Sequence, residues 1–144
     1  MATTLRTRKS QNIYRKYIDT LDKTVCEFCK FTPKSKQVLK NLKHFWIVEN
    51  VFGYDMWDSS GVIEHIMLVP KRHIESISQL NPNENQEFID SLGLYEKKGY
   101  SIYARSHSNS RKSVAHQHTH FIKTDNKIKR FLLFVKKPHL LFMK

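Results

Sequence analysis

Three histidines near the C-terminus constrain the fold of this chain more than any other feature of its sequence. Residues 113–122 read SVAHQHTHFI, so His116, His118 and His120 alternate with other residues before an apolar pair. In a β-strand, side chains two residues apart point to the same face and lie about 6.5 to 7 Å apart. The pattern therefore predicts a strand that presents three imidazoles on one face. Because imidazole can act as a nucleophile, a proton carrier or a metal ligand near neutral pH, this face is a candidate functional site.

Length and composition favour one folded domain. The chain has 144 residues, of which 40% are hydrophobic and 12% are aromatic. A chain of this size can bury most of the apolar surface that its unfolded form exposes, and its apolar content argues against wholesale disorder. We predict a flexible basic arm over residues 1–10 and a single domain over residues 11–144.

The charge of the chain is strongly positive. Its 25 Lys and Arg residues outnumber 13 Asp and Glu residues, which gives a net charge of +12. Such a charge favours polyanionic partners such as nucleotides, nucleic acid or an anionic membrane surface. The alternative is a solvated basic surface, since net charge governs association and solubility rather than chemistry. Because the sequence contains neither the apolar core of a secretory signal nor a segment as long as a membrane span, we expect a cytoplasmic protein without a membrane partner.

The two cysteines of the chain, Cys26 and Cys29, form a C-x-x-C pair. This spacing suits a metal site or a redox pair better than a disulfide framework. A redox pair is expected in a thioredoxin-like βαβ setting, which the surrounding sequence does not predict, so a metal site is favoured. The alternative is a pair of small buried thiols that bind no metal.

Helical patterns occur at two places. Apolar side chains at helical spacing predict a first helix that leads into the cysteine pair, namely Tyr14, Tyr17, Ile18 and Leu21. A second helix is predicted after residue 81, because Asn81 can cap it, Pro82 suits its first position and Glu84 can complete a capping box. The apolar stripe of this helix and the glycine expected to end it are Phe88, Leu92, Tyr95 and Gly99.

Aromatic and β-branched runs predict five strands. They cover residues 44–52, 64–69, 100–104, the histidine run and 128–135. Short links between consecutive strands favour a mostly antiparallel sheet with helices on one face or at one end, which is an α+β fold. Three large aromatics near the strands are interpreted as core residues in preference to base-stacking residues: Trp46, Phe52 and Trp57. Three histidines without a partner pattern are interpreted as surface or satisfied residues: His44, His107 and His139.

At this point the motifs resemble a known family. The H-x-H-x-H triplet followed by Phe121 and Ile122 resembles the signature of the histidine triad (HIT) superfamily of nucleotide hydrolases and transferases. Residues 65–74, HIMLVPKRHI, are similar to the family's apolar strand that ends in Pro-Lys-x-His. Residues 26–30, CEFCK, are similar to the N-terminal C-x-x-C of its zinc-containing branch. The three pieces occur in the family's order between about residue 25 and residue 125.

The resemblance implies a fold and an activity. The fold would be α+β with a five-stranded antiparallel sheet and two main helices, often paired into a homodimer. The activity would be hydrolysis or nucleotidyl transfer at the α-phosphate of a nucleotide, with a purine expected, in a dinucleoside polyphosphate or a nucleoside phosphoramidate. By the same resemblance His118 would be the nucleophile that forms a nucleotidyl-histidine intermediate. His120 would donate to phosphate or set the electrostatics of the site, and Ser113 would donate its hydroxyl or amide to the substrate.

The resemblance to the zinc-containing branch also implies a metal site. Cys26 and Cys29 need two more ligands for a tetrahedral zinc ion, and by this resemblance they are His73 and His116. The zinc would then be structural and would orient His118 indirectly. His65 is a rival third ligand, although it could equally be a half-buried structural residue.

The loop before the triad departs from the family pattern. Where the family usually has an Asn and a Gly-rich turn with Gln, residues 105–112 read RSHSNSRK. Arg105, Arg111 and Lys112 could bind a longer polyphosphate or a nucleic-acid phosphate, and the alternative is a solvated loop. Two other functions therefore stay open: removal of a nucleotide from adenylated nucleic-acid ends, as in the aprataxin-like branch, or non-catalytic binding of nucleotide or nucleic acid.

Overall fold

The computed structural model of the chain describes residues 5–22, 24–128, 130–133 and 140–143. These described residues form two α-helices and eight strands in the order α1 (Arg8–Thr20), β1 (Val38–Asn41), β2 (Phe45–Glu49), β3 (Met56–Trp57), β4 (Ser60–Pro70), α2 (Pro82–Lys97), β5 (Ser101–Ala104), β6 (Thr119–Ile128), β7 (Arg130–Leu133) and β8 (Leu140–Met143). Short 3-10 turns cover Glu27–Lys30 and Ile77–Gln79. Within these described ranges, no helix has the length and apolar character needed to cross a bilayer.

One antiparallel sheet carries most of the fold. Five strands lie in the order β1-β2-β4-β6-β5, and β3 pairs with the outer part of β4. β4 and β6 occupy the middle of the sheet, so that His120 on β6 lies between Met67 of β4 and Tyr103 of β5. His65 of β4 pairs with Ile122 of β6, two residues along the same ladder. The central strands therefore bring two histidines from distant parts of the sequence close together.

The predicted α+β class with an antiparallel sheet and two main helices is confirmed, but the main sheet has six strands instead of five. The sequence pattern missed β1, an edge strand that is mostly exposed, and β3, which is only two residues long. The strand predicted over residues 128–135 corresponds in part to β7, which pairs with β8 in a separate two-stranded sheet. The sequence pattern does not predict β8. Ile128 belongs to β6, and residues 129, 134 and 135 lie outside the described residues.

The strand predicted through the histidine run begins later than expected. β6 starts at Thr119, so His120 is on the strand while His116 and His118 precede it. The amide of Gln117 donates to the carbonyl of Ile74 at 2.6 Å instead of joining the ladder of β6. This contact anchors the segment beside the end of β4, so the local backbone is fixed by a long-range hydrogen bond that alternation alone could not predict.

The ends of α2 match the predicted signals. Asn81 Oδ1 accepts the Glu84 amide at 3.0 Å, and Glu84 Oε2 accepts the Asn81 amide at 2.8 Å, which completes the capping box. Arg72 also binds the Glu84 carboxylate, at 2.7 and 3.1 Å. Gly99 follows the helix with a φ of +81°, a left-handed conformation that favours glycine.

At the N-terminus, α1 begins at Arg8 and is capped by the Thr7 hydroxyl, which accepts the Ser10 amide at 3.3 Å. The helix thus starts within the predicted basic arm, and the division of the chain at residue 10 stays a prediction. Leu21, the last residue of the predicted stripe, caps the C-terminal end.

The sheet buries apolar side chains on both faces. One face packs against α2 through a cluster that includes Phe45, Ile47, Leu68, Phe88 and Phe121. The other face buries Trp46, Val48, Met67 and Val69 beneath Phe28 and Phe31 of the cysteine segment. Trp46 is therefore a core residue, as predicted. This second face carries the cysteine segment and the candidate site described below.

Two isoleucines on adjacent strands differ in burial, so their replacement by alanine should change the free energy of unfolding by very different amounts. Ile47 of β2 is 1% exposed, whereas Ile63 of β4 is 63% exposed. Ile47→Ala should lower the free energy of unfolding by about 2–5 kcal/mol, because it removes buried methyl groups and leaves a cavity. Ile63→Ala is the matched control and should change it by less than about 0.5 kcal/mol. Urea unfolding measures both, and equal losses would contradict the burial of β2.

Candidate active site and metal centre

Four side chains from three parts of the chain converge at the end of β4. Cys26, Cys29, His73 and His116 each offer one ligand atom, and these four atoms lie within 4.8 Å of one another. Cys29 Sγ lies 3.2 Å from His73 Nδ1 and 3.5 Å from His116 Nδ1, and Cys26 Sγ lies 3.4 Å from the same His116 nitrogen. The cluster could hold a metal ion, and it contains the four residues that the resemblance suggests as ligands.

A hydrogen bond from one ring nitrogen of His116 orients the other ring nitrogen toward the cysteines. Nε2 lies 2.9 Å from the carbonyl oxygen of Pro70. Because a carbonyl can only accept, Nε2 carries the proton and Nδ1 directs its lone pair at the two cysteines. The side chain is fully buried. His65, the rival ligand, lies outside this cluster and contacts His120 instead.

His118 is held by the backbone of the same segment. Its Nδ1 lies 2.8 Å from the carbonyl oxygen of His116, so Nδ1 carries the proton and Nε2 keeps a lone pair. Burial lowers the pKa of His118 to about 4, and the positive charges of Lys112 and Arg105 lower it as well, against the opposing effect of the hydrogen bond to His116. At neutral pH the imidazole is therefore uncharged, which is the form that can attack an electrophile.

A chain of hydrogen bonds fixes the proton of His120. The Tyr54 amide donates to His65 Nδ1 at 3.0 Å, so the proton of a neutral His65 ring is on Nε2. His65 Nε2 lies 2.9 Å from His120 Nδ1, which must then accept, and His120 carries its own proton on Nε2. Asn50 Nδ2 lies 3.1 Å from His65 Nε2. Because both nitrogens are hydrogen-bond donors, this contact is not a hydrogen bond. His120 is thus prepared as a hydrogen-bond donor.

Burial keeps both members of this histidine pair neutral. It lowers the pKa of His65 to about 3, with the charges of Arg6 and His118 acting in the same direction. It also lowers the pKa of His120 well below the usual value, with His118, His65, Arg105 and Arg6 adding to the effect. The proton positions deduced from the hydrogen bonds therefore hold across the neutral pH range.

A cavity of about 150 Å³ lies against His118 and His120. All four residues predicted to bind substrate contribute to its lining: Arg105, Arg111, Lys112 and Ser113. His73 and His116 line a neighbouring cavity on the other side of Ser113 and Val114. The structure thus separates the predicted site residues into a group that could hold a metal ion and a group that lines the cavity.

Two of the cavity-lining polar side chains are held by specific partners. Lys112 Nζ donates to the Glu75 carbonyl at 2.8 Å and to Gln117 Oε1 at 3.3 Å. The Ser113 hydroxyl accepts a hydrogen bond of 2.6 Å from the Tyr14 hydroxyl. The loop that precedes the triad is therefore tied to the rest of the domain at the edge of the cavity.

Sequence reasoning missed several residues of the cavity. Arg6 and Tyr17 come from the N-terminal segment, and Phe28 comes from the cysteine segment. Asn50 and Tyr54 come from the loop after β2. His65 was considered only as a metal ligand or a structural residue. A buried histidine within an apolar strand needs a hydrogen-bond partner. This requirement is the sequence signal that could have identified His65. No local pattern marked Arg6, since it lies far from the triad in sequence. Phe52, predicted as core, lines the cavity and packs on Tyr17 at 4.4 Å.

Comparison with known proteins identifies the fold. No protein-family model matches the chain, and no curated protein matches its sequence. Among solved structures, a HIT family hydrolase from Clostridium thermocellum aligns with a TM-score of 0.51 at 20% identity, covering 74% of this chain and 95% of that one. A HIT family hydrolase from Legionella pneumophila aligns with a TM-score of 0.52 at 19% identity, covering 72% and 95%. At these identities the likeness establishes the architecture alone, and the chain therefore has the fold of these HIT family hydrolases.

Proposed function

We propose that the chain is a nucleotide hydrolase or nucleotidyl transferase that acts at an α-phosphate through a nucleotidyl-histidine intermediate on His118. The observation that carries the proposal is the state of His118, a neutral imidazole whose Nδ1–H is bound by the His116 carbonyl and which lines a cavity with basic side chains. A neutral imidazole is a good nucleophile toward phosphorus, and a covalent intermediate divides one difficult displacement into two easier ones.

In the first step, His118 Nε2 attacks the α-phosphorus. The new N–P bond forms as the bond from phosphorus to the leaving group breaks, and the electron pair of that bond goes with the leaving group. A phosphate leaving group keeps that charge, whereas an amine leaving group also takes up a proton from solvent and departs as the neutral amine. The imidazole becomes positively charged, with its Nδ1–H still donated to the His116 carbonyl. That hydrogen bond strengthens as charge develops on the ring, so it favours the transition state over the ground state.

In the second step, water or another acceptor attacks the same phosphorus. The P–N bond breaks, its electron pair returns to Nε2, and one proton from the attacking water passes to solvent. His120 donates from Nε2 to a phosphoryl oxygen in both steps and keeps its proton. Donors aimed at oxygens that gain negative charge contribute most to such reactions.

Substrate binding is assigned to the two sides of the cavity. Ser113, Arg111, Lys112 and Arg105 are proposed to contact phosphate, because basic and hydroxyl groups pair with phosphoryl oxygens. Tyr17, Phe28 and Phe52 offer aromatic surface on the lining, which suits stacking on a purine base. Homodimer formation and a cytoplasmic location stay predictions from the sequence.

A second candidate function is removal of a nucleotide from an adenylated nucleic-acid end. The exposed face of α1 favours it, because Lys9, Arg15 and Lys16 are exposed on a chain of net charge +12. Binding through such contacts releases counterions and weakens steeply with salt. Salt-sensitive affinity for adenylated oligonucleotides, with turnover that surpasses that of free nucleotides, would favour this candidate.

The metal proposed for the cysteine and histidine cluster is zinc. In a tetrahedral zinc site, sulfur and nitrogen ligands lie about 3.5 Å apart, since Zn–S and Zn–N bonds are about 2.3 and 2.0 Å. Three S···N distances between the cysteines and the two histidines, 3.2 to 3.5 Å, agree with that geometry. With four protein ligands the ion would be structural, and it would supply rigidity at His116 rather than reaction chemistry.

Replacing His118 tests the nucleophile. His118→Ala should lower kcat by at least about 10³-fold, since no other group can form the intermediate. Intact-mass measurement after incubation with diadenosine triphosphate or adenosine phosphoramidate, quenched at alkaline pH, should detect an AMP adduct on the wild type and none on the variant. His107→Ala, an exposed histidine outside the cavity lining, is the control and should keep both adduct and turnover. Full activity of His118→Ala would exclude the proposed nucleophile.

Metal analysis tests the zinc site. Purified protein should contain about one zinc per chain, and Cys26→Ser together with Cys29→Ser should abolish it. Because the ion binds the folded form, an excess of 100 times its Kd should stabilise the fold by about 2.7 kcal/mol. Thermal unfolding with and without a chelator measures this difference, and the double variant should not respond to the chelator. His44→Ala, outside the cluster, is the control, and absence of bound zinc or cobalt from the wild type would contradict the assignment.

The buried histidine pair should make stability depend on pH. The folded pKa of His65 is about 3, against about 6.5 for an unfolded histidine, so between these values the unfolded chain binds more protons. The free energy of unfolding should therefore fall as pH falls below about 6.5, by up to about 1.4 kcal/mol per pH unit for each such group. His65→Asn should reduce the slope by about one proton. Urea unfolding from pH 7.5 to 4.5, with both proteins saturated with zinc, measures the slopes, and parallel slopes would refute the assignment.

A further inference from the structure

The N-terminal segment forms one wall of the cavity. Residues 5–21 precede the part of the chain that resembles the HIT family, yet Arg6, Tyr14 and Tyr17 contribute to the lining together with His118 and His120. The wall therefore lies outside the motifs that resemble the family, and its side chains can influence which substrate binds.

Several hydrogen bonds fix this segment to the loop after β2. The Leu5 carbonyl accepts the amides of Asp55 at 2.9 Å and Met56 at 3.2 Å. The Asp55 carboxylate accepts the Thr7 amide at 2.6 Å and the Ser10 hydroxyl at 3.1 Å. These bonds anchor the backbone on both sides of Arg6, so the position of its side chain is defined.

Arg6 is held between two aromatic rings. Its guanidinium carbon lies 4.3 Å from the centroid of the Tyr14 ring and 4.9 Å from that of Tyr54, and Nη2 donates to the Phe52 carbonyl at 2.6 Å. Cation–π contacts of this kind orient a guanidinium and keep it charged in a half-buried setting. Arg6 is thus a fixed positive charge at the wall of the cavity.

A second guanidinium meets Arg6 across Tyr54. Arg105 Nη2 lies 3.4 Å from the Tyr54 hydroxyl, and its guanidinium also lies over the Tyr103 ring at 5.4 Å. Burial is the largest cause that lowers the pKa of Arg6, and the charge of Arg105 lowers it further, while Tyr54, Tyr14 and Asp55 oppose the shift. Asp55 uses both carboxylate oxygens to hold the N-terminal segment. An anion placed between the two guanidiniums would relieve their repulsion.

The neighbours of each histidine order the cations along the cavity. Arg6 lies 4.9 Å over the Tyr54 ring, and the Tyr54 ring lies 5.6 Å from the His120 ring. The His120 ring lies 5.0 Å from the ring of His118, so contacts lead from Arg6 through Tyr54 and His120 to the nucleophile. A phosphate attacked by His118 would lie beside Lys112 and Arg105 of the same lining, and a phosphate past His120 would lie toward Arg6.

We propose that Arg6 and Arg105 form a subsite for a phosphate of the leaving group, so that the site selects nucleotides whose α-phosphate is linked to another phosphate. This inference rests on the proposed function and names the leaving group for it. When the bond from the α-phosphorus to the bridging oxygen breaks, the electron pair stays on that oxygen and the leaving phosphate gains charge. Two fixed guanidiniums stabilise that charge, whereas an amine leaving group gains nothing from them.

The test compares two substrates that differ in leaving group. Diadenosine triphosphate releases ADP, and adenosine phosphoramidate releases ammonia. Arg6→Gln should lower kcat/KM for the triphosphate by about 10- to 100-fold, the value of a lost charge-assisted contact, and change that for the phosphoramidate by less than about threefold. Arg105→Gln should reduce both, because Arg105 also lies beside His118. Equal losses on the two substrates for Arg6→Gln, or no loss on either, would overturn the proposal.

Arg8→Gln is the matched control. Arg8 is the first residue of α1, is exposed and is absent from the cavity lining, so its replacement removes the same charge from the same segment. It should leave the ratio of the two kcat/KM values unchanged. An equal change in Arg8→Gln would assign the effect to net charge and overturn the subsite.

A binding measurement separates this inference from the proposed function. Inorganic tripolyphosphate is the probe, and calorimetry at fixed salt measures its affinity for the wild type and the variants without any turnover. Arg6→Gln and Arg105→Gln should each weaken binding about 10-fold or more, and Arg8→Gln should not. If neither nucleotide is turned over, the proposed function fails, but this result still decides the subsite. Equal affinity in wild type and Arg6→Gln would overturn it.

Discussion

The rest of the site depends on how His116 is held. Its Nε2–H donates to the carbonyl of Pro70 at the end of β4, its Nδ1 faces both cysteines, and its own carbonyl accepts the Nδ1–H of His118. One buried residue thus connects a central strand, the cysteine segment and the adjacent imidazole. Because each ring nitrogen has a partner with a fixed role, the tautomer of His116 and that of His118 follow from backbone carbonyls that cannot move independently of the sheet.

Burial and positive charge act together on the histidines of the cavity. A charged imidazole loses its hydration when it is buried, and the guanidiniums nearby repel it, so the pKa of His65, His118 and His120 is lowered in each case with burial as the largest cause. Of these three rings, His118 and His120 line the cavity, and they differ in which nitrogen carries the proton. His118 keeps a lone pair on Nε2, while His120 keeps a proton there. Hydrogen-bond partners, rather than charge, give two similar side chains opposite chemical properties.

The N-terminal segment adds a wall to the cavity from outside the motifs that resemble the family. Its backbone is fixed by Asp55, and Tyr14 reaches the Ser113 hydroxyl across the mouth of the cavity. The cavity volume of about 150 Å³ is small beside typical ligand pockets of about 300 Å³ or more, which is consistent with a wall packed closely over the site. The same segment supplies Arg6. One element therefore covers the site and also places a positive charge at its wall.

Much of the local structure was predictable from the sequence by itself. The capping box of Asn81 and Glu84, the left-handed Gly99 and the four residues of the metal cluster depend on short-range chemistry or on motifs that resemble a known family, and the structure contains all of them as expected. The order of the strands in an α+β fold could be inferred in the same way, although β1 and β3 could not, because an exposed edge strand and a two-residue strand carry no periodic signal.

Tertiary structure alone decided the rest. His65 and His120 become partners because β4 and β6 pair in one register, and a register between segments more than fifty residues apart cannot be read from either segment. Arg6 reaches the cavity through long-range hydrogen bonds to the loop after β2. The sequence by itself determined which chemical groups are present and how their neighbours along the chain shape them. Their protonation states and mutual distances were decided by burial and by contacts between distant segments, which are properties of the folded chain.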